Sequence, residues 1–428
     1  MGCLFFSYER RAVIVEFFQC MSLKEAQHVI IESLKKRTIF SETVHLVDAL
    51  GRIAAEDVMA KNDLPPFSRS TVDGFAVQSG DTFGASEAAS SLFSIIGEVS
   101  MGEERQMEIF PGNAVAIPTG GMLPVGADAV VMVEHVEQPD SKNLLVLRMV
   151  APGENVIEKG EDVQAGTTII KQGQSIAPQH IGMLAACGYA NISVYKKLEV
   201  GIISTGDELV GIEEPIKFGQ IRDVNSYALG ALLLEMGCTV TQMGIVKDSY
   251  ENFFSVLSKA IDTYQLVLIS GGSSVGARDY TVKAIDALGT PGVLIHGIAV
   301  KPGKPTIFGM TNDVPVFGLP GHPAAAMTVC KQLVKIAVRK LMGLEQNVEF
   351  FGIPACLARN VASAPGRDDF ITVKLTKENG TYIASPILGK SGLIRIMAQA
   401  DGTIHIPADK SGVYSGELVE VMLDKQED

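Results

Sequence analysis

Apolar positions along this 428-residue chain change their period several times, and each change predicts a different kind of element. Between Leu198 and about Leu344, unbroken apolar runs alternate with helical spacing. Leu198 to Ser204, Val240 to Val246 and Leu266 to Ile269 read as strands. Leu229, Leu232, Leu233 and Met236 place a helix over Ser226 to Met236, and Phe254, Leu257, Ile261 and Tyr264 place another over Asn252 to Tyr264. Strands apolar on both faces belong in a parallel sheet covered by helices, so 198–345 is expected to be a doubly wound α/β domain.

The flanking segments follow other rules. Ser22-Leu23-Lys24-Glu25 is a capping box, and Leu23, Ala26, Ile30 and Leu34 form one face of a helix expected over Ser22 to Arg37. Leu46 to Ala60 reads as a short helix followed by an extended segment, ending at a boundary marked by Pro65 and Pro66. Short apolar runs then recur at Phe93 to Ile96, Ala114 to Ile117, Ala129 to Val133 and Leu144 to Val150, separated by Gly, Pro and Asp turns, which predicts a β-rich unit over 64–154. Pro178 opens a helix to Cys187, with Gly188 just past its end. The simplest layout joins 21–63 and 155–197 into one mixed domain with the β-rich unit inserted. Residues 346–428, with turns at Asn379-Gly380 and Asp401-Gly402, are expected to form a C-terminal β-barrel-like domain.

Composition narrows the partners. A formal net charge of −13 argues against nucleic acid or an anionic membrane as the main partner, so any anion site has to be built locally. The six cysteines are scattered without a C-x-x-C pair, which implies neither a zinc site nor a disulfide framework and fits a cytoplasmic protein. Residues 1–20 interrupt their apolar positions with Glu9, Arg10, Arg11 and Glu16; they read as a disordered or non-native extension, with the structural beginning at Met21.

Candidate chemistry collects in loops. After the strand Leu266 to Ile269 comes S-G-G-S-S-V-G-A-R-D-Y, where Gly271 and Gly272 permit a sharp turn and the N–H groups of a Gly/Ser loop at a helix start favour an anion. Ser274 adds a hydroxyl. Asp279 adds a carboxylate, which makes sense beside a phosphate if Mg²⁺ bridges the two; the other reading is a helix N-cap. Two further strand-end loops carry Glu208 and Asp248. In V-K-P-G-K-P, prolines including Pro305 hold Lys301 and Lys304 extended, which suits anion capture, against the plainer reading of a solvated basic turn. Asp73 before a glycine and Thr119 in I-P-T-G-G are equally compatible with ordinary turns. Arg367, Lys390 and Ser391 are the polar candidates of the C-terminal part, and His322 is left without a role.

These motifs occur together and in order. F-S-R-S-T-V-D-G-F-A, I-P-T-G, K-G-E-D, S-T-G-D-E-L, S-G-G-S-S-V-G-x-x-D-Y, K-P-G-K-P, G-L-P-G-x-P and A-Q-A-D-G make the chain resemble the molybdopterin molybdenumtransferase family, that of MoeA and the gephyrin E-domain, from about Ser22 to Leu423. The resemblance implies four domains and an elongated homodimer whose sites are shared between subunits. It implies insertion of molybdate into adenylated molybdopterin with Mg²⁺ and release of AMP, with the pathway adenylyltransferase as a further partner. Carried over by motif, Asp73, Glu208, Asp248 and Asp279 are catalytic, with Glu208 and Asp279 on the metal. Thr119, Gly271, Gly272, Ser274, Lys301, Lys304, Pro305, Arg367 and Ser391 contact substrate.

Several positions depart from the family pattern. Ala277 stands where an acidic residue is common, Glu158 lies near a usual arginine, and Arg69 and His322 replace asparagines. These keep open a second expectation, a paralogue that binds molybdopterin or molybdate as a carrier without turnover. The adenylyltransferase of the same pathway, a third, would lack the added β domains. Nothing in the sequence separates molybdate from tungstate.

Overall fold

The computed structural model describes residues 20–34, 39–102, 107–247, 249–271, 275–344, 352–390 and 392–424, with side chains at 275–279 outside the description. The chain forms two compact units, one made of 41–195 and the other of the segments before and after it.

In the second unit, a six-stranded sheet runs in the order Thr239–Val246, Glu199–Thr205, Leu266–Gly271, Val314–Leu319, Ile307–Thr311 and Pro291–His296. The first four are mutually parallel and the last two are added antiparallel. The three closing strands were not anticipated; Pro291, Gly292 and the Thr311–Val314 turn mask their short apolar runs. Ile203, Val267 and Ile269 pack with Phe253, Leu257, Ala284 and Ile285 of helices Tyr250–Thr263 and Val275–Leu288. Helix Asn225–Glu235 packs on strands Glu199–Thr205 and Thr239–Val246, and on the helix that begins at Pro323. Ile202 and Leu268, fully buried between the residues of the first cluster, alternate to the opposite face of the pleat. Burial on both faces is therefore why Leu266–Ile269 lacks polar alternation; each such side chain contributes about 1.5–3 kcal/mol.

The C-terminal strands close on themselves. Asp368–Glu378, Thr381–Pro386, Gly352–Leu357, Leu418–Leu423 and Gly402–Ile406 pair in sequence, and the last pairs back to the first, giving a five-stranded barrel. Ala355, Val373, Ala384, Ile404 and Val421 fill it. Strand Val300–Lys301 joins its rim by pairing with Asp368 and Asp369.

Helix Leu23–Ser33 has its capping box and buries Leu23, Ala26 and Ile30. Its placement corrects the expected layout. It packs on helix Lys335–Leu341 and belongs with the α/β unit, not with 155–197, because Met21 pairs with Ile298 and Gln27 donates to the Gln332 carbonyl at 3.3 Å.

The first unit holds two sets of strands. Flanking segments pair with each other: Ser41–His45 with Asn191–Tyr195, Val58–Met59 with Thr168–Ile170, and Arg69–Ser70 with Val156–Ile157. Between them lies a six-stranded sheet, Ala129–Met132, Gly74–Val77, Asn113–Ile117, Ser91–Glu98, Asn143–Val146 and Val136–Glu137, packed around Phe75, Phe93, Val131 and Leu144. The expected short helix at Leu46 is a single 3₁₀ turn, Leu46–Ala49. Among the described residues, no helix is long and apolar enough to cross a membrane.

One glycine of the α/β sheet sits where a side chain has no room. Gly271 has φ +111°, and a Cβ there would lie 2.1 Å from the Thr205 carbonyl oxygen of the neighbouring strand. Gly271→Ala is expected to cost at least about 1–3 kcal/mol, since the backbone is strained and the strand ends must part. A melting temperature equal to the parent's, followed by differential scanning calorimetry, would refute this.

Candidate functional site

Strand Glu199–Thr205 has Thr239–Val246 on one side and Leu266–Gly271 on the other. The sheet order reverses there, and ligands of open α/β sheets bind outside the carboxyl ends of the strands at such a point. Thr205 stands opposite Gly271 in register, so the loop carrying Gly206 to Glu208 leaves the sheet beside the end of strand Leu266–Gly271. Gly206, at φ +147°, lets the exposed Glu208 fold over it: a Cβ at 206 would sit 2.6 Å from Glu208 Oε2.

Helix Val275–Leu288 begins four residues before Asp279, which puts Asp279 in the second turn and removes the N-cap reading. Gly272, Ser274, Asp248 and Ser391 lie outside the described residues, as do the side chains of Asp279 and Ala277. Among the described residues, no three metal-ligating side chains converge.

Asp223 supports this end of the sheet and was not singled out from the sequence. Buried to 6% exposure, it accepts hydrogen bonds from Ser204 Oγ at 2.6 Å and from the Ser226 N–H at 3.1 Å. It thereby ties the strand's end to the start of helix Asn225–Glu235. Asn225 Nδ2 donates to the Gly321 carbonyl at 2.9 Å, attaching the G-L-P-G-H-P turn to the same helix. The signal was legible, since an Asp three residues before Ser226 has the spacing of a helix-entry cap.

The basic candidates meet in a cleft of about 1240 Å³ at the barrel rim, lined among others by Lys301, Lys304, Pro305, His322, Arg367 and Lys390. Local geometry sets the lysines. Strand pairing fixes Lys301, the Lys304 carbonyl accepts from the Ile298 N–H at 3.0 Å, and Gly303, at φ +142°, passes so close to helix Pro323–Val329 that a Cβ would meet Val329 Cγ2 at 2.7 Å. The sequence also missed Asp369. It is fully buried, accepts from Arg367 Nε at 2.8 Å and lies 3.8 Å from Lys301 Nζ.

In the other unit, Asp73 and Thr119 come together. The Asp73 carboxylate accepts from the Thr119 backbone N–H at 2.7 Å and from its hydroxyl at 2.9 Å. Those bonds, the backbone one foremost, hold Asp73 below its ordinary range, so it is ionised at neutral pH. Arg69 and Glu158 are both exposed and neither takes part in this pair. The thiols of Cys238 and Cys330 are buried and pushed up to about 12, which leaves them poor nucleophiles.

Three family descriptions match the chain in succession. The MoeA N-terminal region (domain I and II) matches 21–188, a probable molybdopterin binding domain matches 201–340, and the MoeA C-terminal region (domain IV) matches 354–423. A protein assigned to molybdopterin biosynthesis in Methanocaldococcus jannaschii is 39% identical, over 95% of this chain and 98% of its own. The molybdopterin molybdenumtransferase of Bacillus subtilis is 32% identical over 90% of each. A crystal structure of the molybdopterin biosynthesis MoeA protein from Pyrococcus horikoshii superposes with a TM-score of 0.82 at 32% identity, covering 95% of this chain and 100% of that one. With these matches spanning nearly its whole length, the chain belongs to the MoeA family, that of the molybdopterin molybdenumtransferases.

Proposed function

We propose that this protein inserts molybdate into adenylated molybdopterin and releases AMP. The observation that carries the reading is the basic cleft: in a chain with a net charge of −13, Lys301, Lys304, Arg367 and Lys390 from three separate segments converge on one cavity. Such convergence stabilises a compact dianion such as molybdate, whose tetrahedral oxygens can each accept from a different donor.

The strand-end loops serve the other substrate. The N-terminus of helix Val275–Leu288 suits a phosphate, and Glu208 supplies hard carboxylate oxygen from the loop after strand Glu199–Thr205. Oxygen donors of this kind fit Mg²⁺, which takes one or two carboxylates together with substrate phosphates and waters. Bound there, Mg²⁺ would neutralise charge between phosphate and carboxylate. Asp279 and Asp248 complete the acidic set by motif. Lys301, Lys304 and Arg367 hold and orient the oxyanion, and Glu208 and Asp279 orient the adenylate for hydrolysis. Positioning and electrostatics suffice for this chemistry, and no covalent nucleophile is needed.

Purified protein given adenylated molybdopterin, Mg²⁺ and molybdate should release AMP and yield active cofactor. Binding of both substrates without AMP release would instead mark a carrier, the outcome that Ala277 keeps in view. Asp279→Asn is expected to slow AMP release by about 100-fold or more while the circular dichroism spectrum stays parental. An unchanged rate removes Asp279 from the reaction.

Lys304→Ala should raise the half-saturating molybdate concentration by roughly tenfold, the loss of about one charge-assisted hydrogen bond. Should the two proteins share one molybdate titration curve, the oxyanion does not bind at Lys304.

The homodimer with shared sites rests on the family alone. Two-fold symmetry makes it testable, because mixing inactive Asp73→Ala with inactive Asp279→Ala subunits leaves one unaltered composite site per heterodimer. About half of the parental activity per heterodimer is expected, and no recovery after verified subunit exchange would exclude sharing.

A further inference from the structure

The cations of the cleft have a common anchor beneath them. Strand Val300–Lys301 runs parallel to the start of strand Asp368–Glu378, setting Lys301 opposite Asp369. On its other side Asp369 pairs with Ile406, so its backbone is fixed from both flanks. The carboxylate is completely buried and is not part of the cleft wall, whereas Lys301 and Arg367 line that wall with side chains 54% and 37% exposed.

Each carboxylate oxygen serves one cation. Oδ1 accepts from Arg367 Nε at 2.8 Å, while Oδ2 faces Lys301 Nζ at 3.8 Å and takes no hydrogen bond from the described residues. A fully buried carboxylate is expensive unless cations compensate it, so this pairing is enforced by the burial itself. It also has a geometric result. Arg367 spends Nε on its inner side, and none of the described residues accepts from the terminal amino groups of its fork.

We propose that Asp369 is a positioning residue for the oxyanion: it touches no substrate, but anchors Lys301 and Arg367 side by side on the wall of the cleft. This rests on the reading of the cleft as the molybdate site. The competing role for a carboxylate here is to cancel one positive charge, and the two roles predict opposite signs. If Asp369 positions, its loss weakens anion binding; if it only cancels charge, its loss leaves a more cationic cleft and strengthens binding.

The test is a molybdate titration of AMP release by the full-length protein, with direct binding of molybdate measured by calorimetry. Asp369→Asn keeps the shape and removes the charge. It is expected to raise half-saturating molybdate by about tenfold while the maximal rate stays within about twofold. A purely structural role would lower the maximal rate and the melting temperature without moving the molybdate dependence, and that outcome overturns the proposal, as does tighter binding.

Arg367→Lys guards against misfolding at the buried site, because Arg367 is partly exposed and its charge is retained. Lysine lacks the fork, so a similar rise is expected. A parental titration for Arg367→Lys overturns the positioning role. Lys304→Ala, measured alongside, separates the two levels. If it shifts the titration and Asp369→Asn does not, positioning alone fails; if none of the three shifts it, the molybdate reading of the cleft fails as well.

Discussion

The approach of Gly271 to the Thr205 carbonyl oxygen is the contact on which the arrangement of this molecule turns. Gly271, at φ +111°, turns where a Cβ would lie 2.1 Å from the Thr205 carbonyl oxygen, so this strand end leaves no room for a side chain. The two strand ends lie in register at the place where the sheet order reverses. Asp223 stiffens this end of strand Glu199–Thr205 through Ser204 and Ser226. A side chain at 271 would push the strands apart before it disturbed any ligand.

What the sequence disclosed depended on how locally each element was specified. The strand Leu266–Gly271 and the helices Asn225–Glu235 and Tyr250–Thr263 were legible because double-sided burial and a 3.6-residue period leave strong local marks. Ser22 and Glu25 announced a helix start through a capping box that depends on no distant residue. That helix's neighbours were not legible, since an amphipathic face records only that it is covered. The pairing of Met21 with Ile298, far along the chain, decided which unit it joined. Likewise the closing strand pair of the barrel, Gly402–Ile406 back onto Asp368–Glu378, has no local signature.

The candidate site divides the same way. Lys301 and Lys304 were visible because prolines and a glycine around two lysines are unusual, and Asp73 and Thr119 because each sat in a glycine turn. Nothing in either motif said that the Thr119 N–H and hydroxyl both reach Asp73. Asp369 was invisible for a different reason. Beside Asp368 at the head of a strand it reads as one of a pair of surface acids, and only the barrel's closure buries one while leaving the other near His405 at 2.6 Å.

If the cleft is the oxyanion site proposed above, burial of that single carboxylate also reconciles the site with the chain's acidity. An acidic protein repels dianions at long range, beyond about 10 Å only weakly at ordinary ionic strength, so capture would be decided inside the cleft. There, exposed lysines alone would be mobile and screened, and each would lose side-chain entropy on closing around a ligand. In the proposed role, a negative charge placed behind them would remove part of that cost in advance, by ordering Lys301 and Arg367 before an anion arrives. It does so at the expense of some attraction. The balance favours order over charge where the ligand is small and symmetric, because a tetrahedral oxyanion rewards donors fixed at the right separation more than it rewards one further unit of positive potential.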